Sequence, residues 1–526
     1  MDRQEHQVST GLMAAMATAN ILPDKDVYLE GYEGRNAFSL CHCPDDFTSD
    51  LYARILLLDN GADRLVFLNL ELIFADSTEQ YACISKELLN QIAQTCHTDT
   101  DHILLSNTHT HHAPMQLGQV QEANILKAVK EAWDRRVPAV IRVTEGQTQY
   151  GVSRSNDYTI DKTRPYDNVL TVLNICEADT ELPIGLVFSV PIHNTLYGHG
   201  PDLRKNRHLL NCEFTGYACR ALERKYRTQN PDFVAMHHNG FCGNAGPLYK
   251  ERYYAESLAQ LQEAGACLAD EIIGICNRPD VQLSDGAIRS LRCNESLPVK
   301  DDDGFREFFG DFDRMPLKIH TAAWGDVAYL GVNYEPFAIL GAYLRAYAPY
   351  RVLLLAANVD GWRGYIPIKQ TYIANAVCEE AEVQDWKTPL AYNASDEFVQ
   401  HCKETLLMMA DVHEESAAAD MCTVEEGRYT YMFPESIAPD KLVISFGHEL
   451  RTDCLNDFNV CLYDEAHTLV KEIAIRDFSS SYLGVWLERQ TIRYVCISIA
   501  DWQVGSVRRI PEIMGLRFEK NVRPSA

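Results

Sequence analysis

Residues 102–112 read His102-Ile103-Leu104-Leu105-Ser106-Asn107-Thr108-His109-Thr110-His111-His112, with Pro114 close behind. A short apolar strand, His102–Leu105, runs straight into a cluster of ligand-type side chains. In an extended chain, side chains two apart share a face, so His109 and His111 can present both imidazoles to one metal or one substrate. Alone, a His-x-His pair is a weak signal, and a pair of exposed loop histidines is the ordinary alternative. Its position is more informative, because the pair sits where the chain leaves a sheet. In open α/β sheets, ligands bind outside the carboxyl ends of strands.

The neighbouring sequence supports that setting. Leu51–Leu58 and Leu65–Phe74 are apolar runs joined by Asp59-Asn60-Gly61-Ala62-Asp63, which predicts a hairpin. Ser77 with Gln80 has the form of a capping box, and Tyr81, Ile84, Leu88, Leu89 and Ile92 recur at helical spacing. Further strands are predicted at Gly185–Val190, Val327–Val332 and Arg351–Ala356. Helices are predicted at Thr215–Tyr226, Tyr253–Ile275, Pro336–Ala346 and Glu397–Val412. Hairpins mixed with crossovers place the chain in the α/β (α+β) class, a mixed sheet flanked by helices. Glu415–Asp420 reads as a small-residue linker. Beyond it, Leu442–Phe446, Asn459–Tyr463, Val470–Ile475 and Ile492–Ile499 are short β-type runs suited to a sandwich. The expected division is an α/β domain over 1–418 and a β-sandwich domain over 419–526.

Composition excludes several classes. Hydrophobic residues are 46% of the chain and charged residues 23%, which excludes a disordered or fibrous protein. Forty-eight basic residues against seventy-four acidic ones leave a formal charge of -26, which opposes phosphate backbones and anionic lipid, so no nucleic-acid partner is expected. Seventeen cysteines without framework spacing read as free thiols in a reducing compartment, and a cytoplasmic protein is expected. Cys41-His42-Cys43 is the one dense cluster and lacks a second pair at ligand spacing, so it reads as structural. No apolar run approaches the ~18 residues of a membrane span.

Three more residues stand at strand ends. His193 closes the run that begins at Pro183. Glu335 follows Val327–Val332 and precedes Pro336, a favoured first helical residue. Tyr365 follows Arg351–Ala356 through Asn358-Val359-Asp360-Gly361-Trp362-Arg363-Gly364. Singly, a Glu before a helix is ordinarily a charge favoured by the dipole, and a Tyr ordinarily a packed ring. Jointly, histidines, a carboxylate and a phenol can hold zinc, which favours nitrogen and oxygen ligands in four-coordination.

At these residues the chain resembles the neutral/alkaline, non-lysosomal ceramidase family. Asn107-Thr108-His109-Thr110-His111 is similar to its T-H-T-H segment, Arg154-Ser155 to its N-R-S turn, and Ile192-His193-Asn194-Thr195 to its V-H-G-T strand end. Tyr334-Glu335-Pro336-Phe337 resembles its G-E-P-F turn, and Gly364-Tyr365-Ile366-Pro367 its G-Y-I-P. The blocks agree in order and spacing from about Met16 through Glu380, and more loosely beyond. The resemblance implies zinc held by His109, His193, Glu335 and Tyr365, with His111 and Arg154 beside it. It also implies layered mixed sheets followed by an immunoglobulin-like β domain. There are departures. Asn244 replaces an acid in the G-x-x-G-D-x-x-P loop, and Gly246 stands where some members have a serine. Val377-Cys378 falls where a tyrosine is usual, and Glu213 stands for an aspartate.

The expected function is a zinc-dependent amidase acting on an N-acylated small molecule through a metal-activated water. His111 is the expected acid–base group and Arg154 the expected oxyanion partner. The rival expectation is a non-catalytic metal- or ligand-binding relative, supported by Asn244, Gly246 and Val377. Acids at Glu379, Glu380, Glu382 and Asp385, with the overall charge, favour a soluble N-acyl substrate over ceramide in a bilayer.

Overall fold

The computed structural model describes residues 11–29, 31, 39–77, 82–154, 160, 166–198, 206–278, 282–284, 288–300, 313–369, 390–425, 428–446, 457–476, 478, 480–488, 490–499 and 513–522. The predicted hairpin is formed by strands Tyr52–Asp59 and Arg64–Leu70, paired Asp59 to Arg64. Asn60 N–H donates to Asp63 O at 3.1 Å, and Gly61 takes φ 90° in the turn.

Away from their ends, both strands are buried on both faces and apolar apart from the ion-paired Arg54 and from Asn69, and alternate apolar residues enter different cores. Ala53, Ile55 and Leu57 pack with Val66, Leu68 and Leu70 on one side. Leu56, Leu58, Leu65 and Phe67 face the other. That pattern marks a sheet covered twice. Its backbone of eight strands runs Val234–Asn239, Pro183–Val190, Val169–Glu177, Val137–Gln147, Met13–Asn20, Tyr52–Asp59, Arg64–Leu70, Ile103–Asn107, and Gln282–Ser284 pairs beside it. The second sheet runs Ile288–Pro298, Arg314–Trp324, Val327–Val332, Val352–Ala356. Trp324, Val327, Tyr329, Val352 and Leu354 join the core of the first sheet's second face, so the two sheets stack. Helices Lys86–Thr95, Gln119–Asp134, Glu213–Tyr226 and Leu258–Cys276 cover the outer face of the first sheet. Ala338–Tyr347 and Ala394–Ala410 cover that of the second. The result is four layers, helix–sheet–sheet–helix, an α/β fold with mixed sheets.

The C-terminal part is β-rich. Strands His413–Ala418, Ile513–Val522, Lys441–Phe446 and Tyr482–Trp486 form one antiparallel sheet. Asp420–Glu425, Arg428–Ile437, Ile492–Ile499, Phe458–Tyr463 and Leu469–Ile475 form the other. The two share a core of Tyr431, Phe433, Leu442, Ile444, Val460 and Ile497.

Three expectations are corrected. Most of Glu415–Asp420 is not a linker, because His413–Ala418 pairs with the last strand. The helix after the hairpin is capped not at Ser77 but at Ser85, whose Oγ accepts the N–H of Leu88 at 3.1 Å; Gln80 and Tyr81 lie outside the described residues. The helix expected from Tyr253 starts at Leu258, because Ser257 caps it. Among the described residues no helix is long and apolar enough to cross a membrane.

Candidate metal centre

Strands Arg64–Leu70 and Ile103–Asn107 run parallel, so their carboxyl ends open on the same edge. There Thr108 N–H donates to Leu70 O at 2.9 Å, and His109 takes φ 59°. His109 and His111 therefore converge through a left-handed residue and not through an extended segment as the spacing suggested. Their Nε2 atoms lie 3.3 Å apart. Thr110 Oγ1 donates to Asn211 O, and His112 Nδ1 to Leu209 O, which fixes the segment just beyond.

His193 follows Pro183–Val190 and brings its Nε2 to 3.2 Å from His109 Nε2. The chain behind it is held by Glu213, whose buried carboxylate accepts the N–H groups of Leu196, Tyr197 and Phe214. Glu335 and Tyr365 are paired residues of a two-residue parallel ladder. Glu335 Oε2 lies 3.4 Å from His109 Nε2 and 3.7 Å from His193 Nε2. The Tyr365 ring stacks beside His193 with centroids 6.4 Å apart. Arg154 donates its backbone N–H to Asn244 O and its Nη2 to Gly243 O, and its charge is felt at His109.

The electrostatics belong to a site that wants a cation. Burial opposes charge on His109, but the Glu335 carboxylate outweighs it and raises the imidazole pKa. Burial likewise opposes charge on Glu335, and His109 outweighs it and lowers the carboxyl pKa. His109 Nδ1 meets Ile73 O at 2.9 Å, and His193 Nδ1 meets Cys242 O at 3.2 Å. Carbonyls only accept, so a proton on each Nδ1 satisfies these two contacts and leaves each Nε2 presenting a lone pair. Two lone pairs facing each other at this range repel unless a cation joins them. Nitrogens on a tetrahedral zinc, each ~2.0–2.1 Å from it, stand about 3.3 Å apart. Glu335 Oε2 is buried and makes no well-formed hydrogen bond. The residues present fit a divalent metal.

Of the six residues singled out in the sequence, His109, His111, His193 and Glu335 converge directly, and Tyr365 and Arg154 border them. Three others were passed over. Cys242 joins His193 and Glu335 in a second, overlapping group of ligand-type atoms within 4.8 Å of one another. Asn358 lies 3.2 Å from His109 Nδ1, and Trp362 Nε1 donates to Glu335 Oε1 at 2.7 Å. A polar residue and an indole in a glycine-rich turn before Tyr365 were the only local signal for the last two. At Gly246, an added Cβ would stand 2.9 Å from ring atoms of Tyr253, so that ring fills the space a serine would need. Asn244 Oδ1 accepts the N–H of Ala338, a structural task at the start of a helix. Val377 and the acids through Asp385 lie outside the described residues.

No protein-family model and no curated protein sequence matches the chain. Solved structures do. A ceramidase complexed with C2 aligns with TM-score 0.58 at 14% identity, over 94% of this chain and 95% of its own. The neutral ceramidase from Pseudomonas aeruginosa aligns with TM-score 0.57 at 13% identity, over 98% of this chain and 99% of its own. The chain therefore has the neutral ceramidase fold across nearly its whole length, carried by a strongly diverged sequence.

Proposed function

Starting from that fold, we propose that this chain is a zinc-dependent hydrolase, an amidase cleaving an N-acylated small molecule. The observation that carries the reading is the convergence of the Nε2 atoms of His109, His111 and His193 with Glu335 Oε2 in a buried pocket of ligands. His109, His193 and Glu335 would hold the metal, with the Tyr365 phenol beside them. Bound there, zinc supplies Lewis acidity towards an acyl carbonyl and makes water a usable nucleophile near neutral pH.

The chain's own residues do the rest. His111 stands at the edge of the ligand set and takes the proton of the attacking water at Nε2, then returns it to the leaving amine. Arg154, fixed by two bonds to the 243–244 backbone, holds a positive charge where an oxyanion develops. Position 246 supplies no serine nucleophile, because Gly246 lacks a hydroxyl and the Tyr253 ring occupies the volume a side chain there would need. Water is the nucleophile this arrangement supports.

The substrate is a soluble N-acyl compound rather than ceramide drawn from a bilayer, since a charge of -26 opposes approach to anionic lipid. The fourteen cysteines whose side chains are described are all free, which supports a cytoplasmic setting. The test is metal analysis of purified protein, then hydrolysis of soluble N-acyl amides and of vesicle-borne ceramide, each with and without chelator. Chelator-sensitive cleavage, faster on the soluble amides, is expected. Full zinc retention by a His109→Ala, His193→Ala double variant, or a zinc-loaded protein inert towards every amide, would overturn the reading.

A further inference from the structure

The segment from Ala357 to Gly364 stitches the two sheets together at the metal centre. Asp360 N–H donates to Leu105 O at 3.1 Å, on the strand that leads to His109. Val359 N–H donates to Val332 O at 2.8 Å and Asn358 N–H to Tyr334 O at 3.0 Å, on the stretch that leads to Glu335. Asn107 Nδ2 donates to Asn358 O at 2.9 Å. From this one segment come both side chains that touch the far atoms of two ligands: Asn358 against His109 Nδ1, and Trp362 on Glu335 Oε1. Its backbone is unusual, with φ 58° at Asn358, 56° at Asp360, 136° at Gly361 and 97° at Gly364. Asn and Asp are the side-chain-bearing residues that enter the left-handed region most readily, and glycines take the remaining positive φ angles of the turn.

An ion cluster on the second sheet holds the segment at Asp360. The Asp360 carboxylate accepts from His320 Nδ1 at 2.9 Å and from Arg292 Nη2 at 3.0 Å, and its carbonyl accepts from Lys318 Nζ at 2.8 Å. Arg292 Nη1 also reaches Asp101 Oδ1 at 3.0 Å, and His320 Nε2 the Asp101 carbonyl at 2.9 Å, just ahead of the strand that carries His109. The cluster thus grips both the segment and the root of that strand.

We infer that Trp362 is a positioning residue for Glu335 and that the Asp360 cluster, acting through the segment, sets where Trp362 stands. With Oε1 engaged by the indole N–H, Oε2 alone faces the histidines, so Glu335 offers the metal one oxygen in a fixed direction. The inference rests on the metal-hydrolase reading and adds to it a supporting shell that the ligands alone do not reveal.

The experiment uses the full chain, stripped of metal and reloaded, in wild-type form and as Trp362→Phe and Asp360→Asn. Zinc affinity is measured by competition with a chromophoric chelator, the visible spectrum of the Co2+-loaded protein reports coordination number, and the melting temperature of the metal-free protein reports folding. Trp362→Phe keeps an aromatic ring against Phe74 and loses the N–H together with part of the indole's volume. It is expected to weaken zinc binding by about 10–100-fold and change the cobalt spectrum, with little change in metal-free melting. Asp360→Asn is expected to move the same readouts in the same direction and keeps the test open if the first variant folds poorly. Wild-type affinity and an unchanged cobalt spectrum in both variants would overturn the inference alone. A wild-type protein that takes up no metal would overturn the hydrolase reading together with it.

Discussion

Glu335→Gln separates the cost of an unfilled cation site from the gain of filling it. The carboxylate is buried, its Oε1 is held by Trp362, and its Oε2 stands 3.4 and 3.7 Å from two imidazole nitrogens. Glutamine keeps the shape and, through its carbonyl, the indole bond. What it loses is one negative charge against the metal. Deleting one charge of a buried pair costs about 3–5 kcal/mol, so zinc affinity should fall roughly 10²–10⁴-fold. The metal-free protein should respond in the opposite sense at alkaline pH. There the new amide N–H can donate to His109 Nε2, replacing a contact between two acceptors with a hydrogen bond, worth about 1–3 kcal/mol. Towards acid the sign reverses, because the raised pKa of His109 depends on the Glu335 charge and the variant forfeits that pairing. Calorimetric zinc titration and chelator-treated denaturant unfolding at pH 9 and pH 6 measure both effects. Wild-type zinc affinity in the variant, or a metal-free variant less stable than wild type at pH 9, would refute the reasoning.

Three other outcomes follow from particular contacts. His237 and His238 are fully buried, and burial above all pushes both pKa values down, that of His238 to about 3. Because each takes up its proton near 6.5 when unfolded, stability is lost as pH falls below about 6.5, at about 1.4 kcal/mol per pH unit for each. His238→Gln should therefore flatten the slope of unfolding free energy between pH 6 and 4 by that amount, and an unchanged slope would contradict the buried neutral state. Gly246→Ser should cost about 1–3 kcal/mol through overlap with Tyr253 and add no turnover; a trapped acyl-serine at that position would show the opposite. Lys441, 2% exposed, donates Nζ to the Arg345 and Ala348 carbonyls at the end of helix Ala338–Tyr347. Lys441→Met should leave both unpartnered, costing about 1–3 kcal/mol each and speeding proteolysis of the C-terminal sheets, whereas unaltered protease resistance would mean that this anchor is dispensable.

Elements were legible where local chemistry decides them. Asn60-Gly61 sets a turn whatever surrounds it, and the apolar runs on either side can only be strands covered on both faces. Met13–Asn20 escaped notice for the opposite reason. Its sequence, MAAMATAN, is rich in a helix-forming residue, and it is a strand because Tyr52–Asp59 and Val137–Gln147 pair with its two edges. Ala15, Ala17 and Ala19 then enter one core while Ala14 and Met16 enter the other. At the site, residues with intrinsic ligand chemistry stood out at strand ends. Their supporting partners did not, because Asn358 meets His109 across 249 positions and no local pattern encodes which strand ends become neighbours. The left-handed turn at His109 was hidden too, since spacing alone describes an extended chain.

The centre straddles the two stacked sheets, and this explains why so few of its determinants are local. The first sheet delivers His109, His111 and His193, and the chain leaving the second delivers Glu335 and Tyr365. Neither set alone offers four ligand-type side chains, so the geometry of the group is set by how the sheets pack. That packing is specified close to the site as well as by the apolar interior. Ser189 Oγ donates to Leu355 O at 2.8 Å, and Ala357 N–H to Asn239 O at 2.8 Å, each joining one sheet to the other near the carboxyl ends of their strands. A change in the interior between Phe67, Trp324 and Tyr329, whose rings meet edge to face, shifts one sheet against the other and with it the distance from carboxylate to imidazoles. The placement of these strand-end side chains is thus a property of the packing between the sheets, and the fold that sets this packing is shared with a solved ceramidase at only 14% identity.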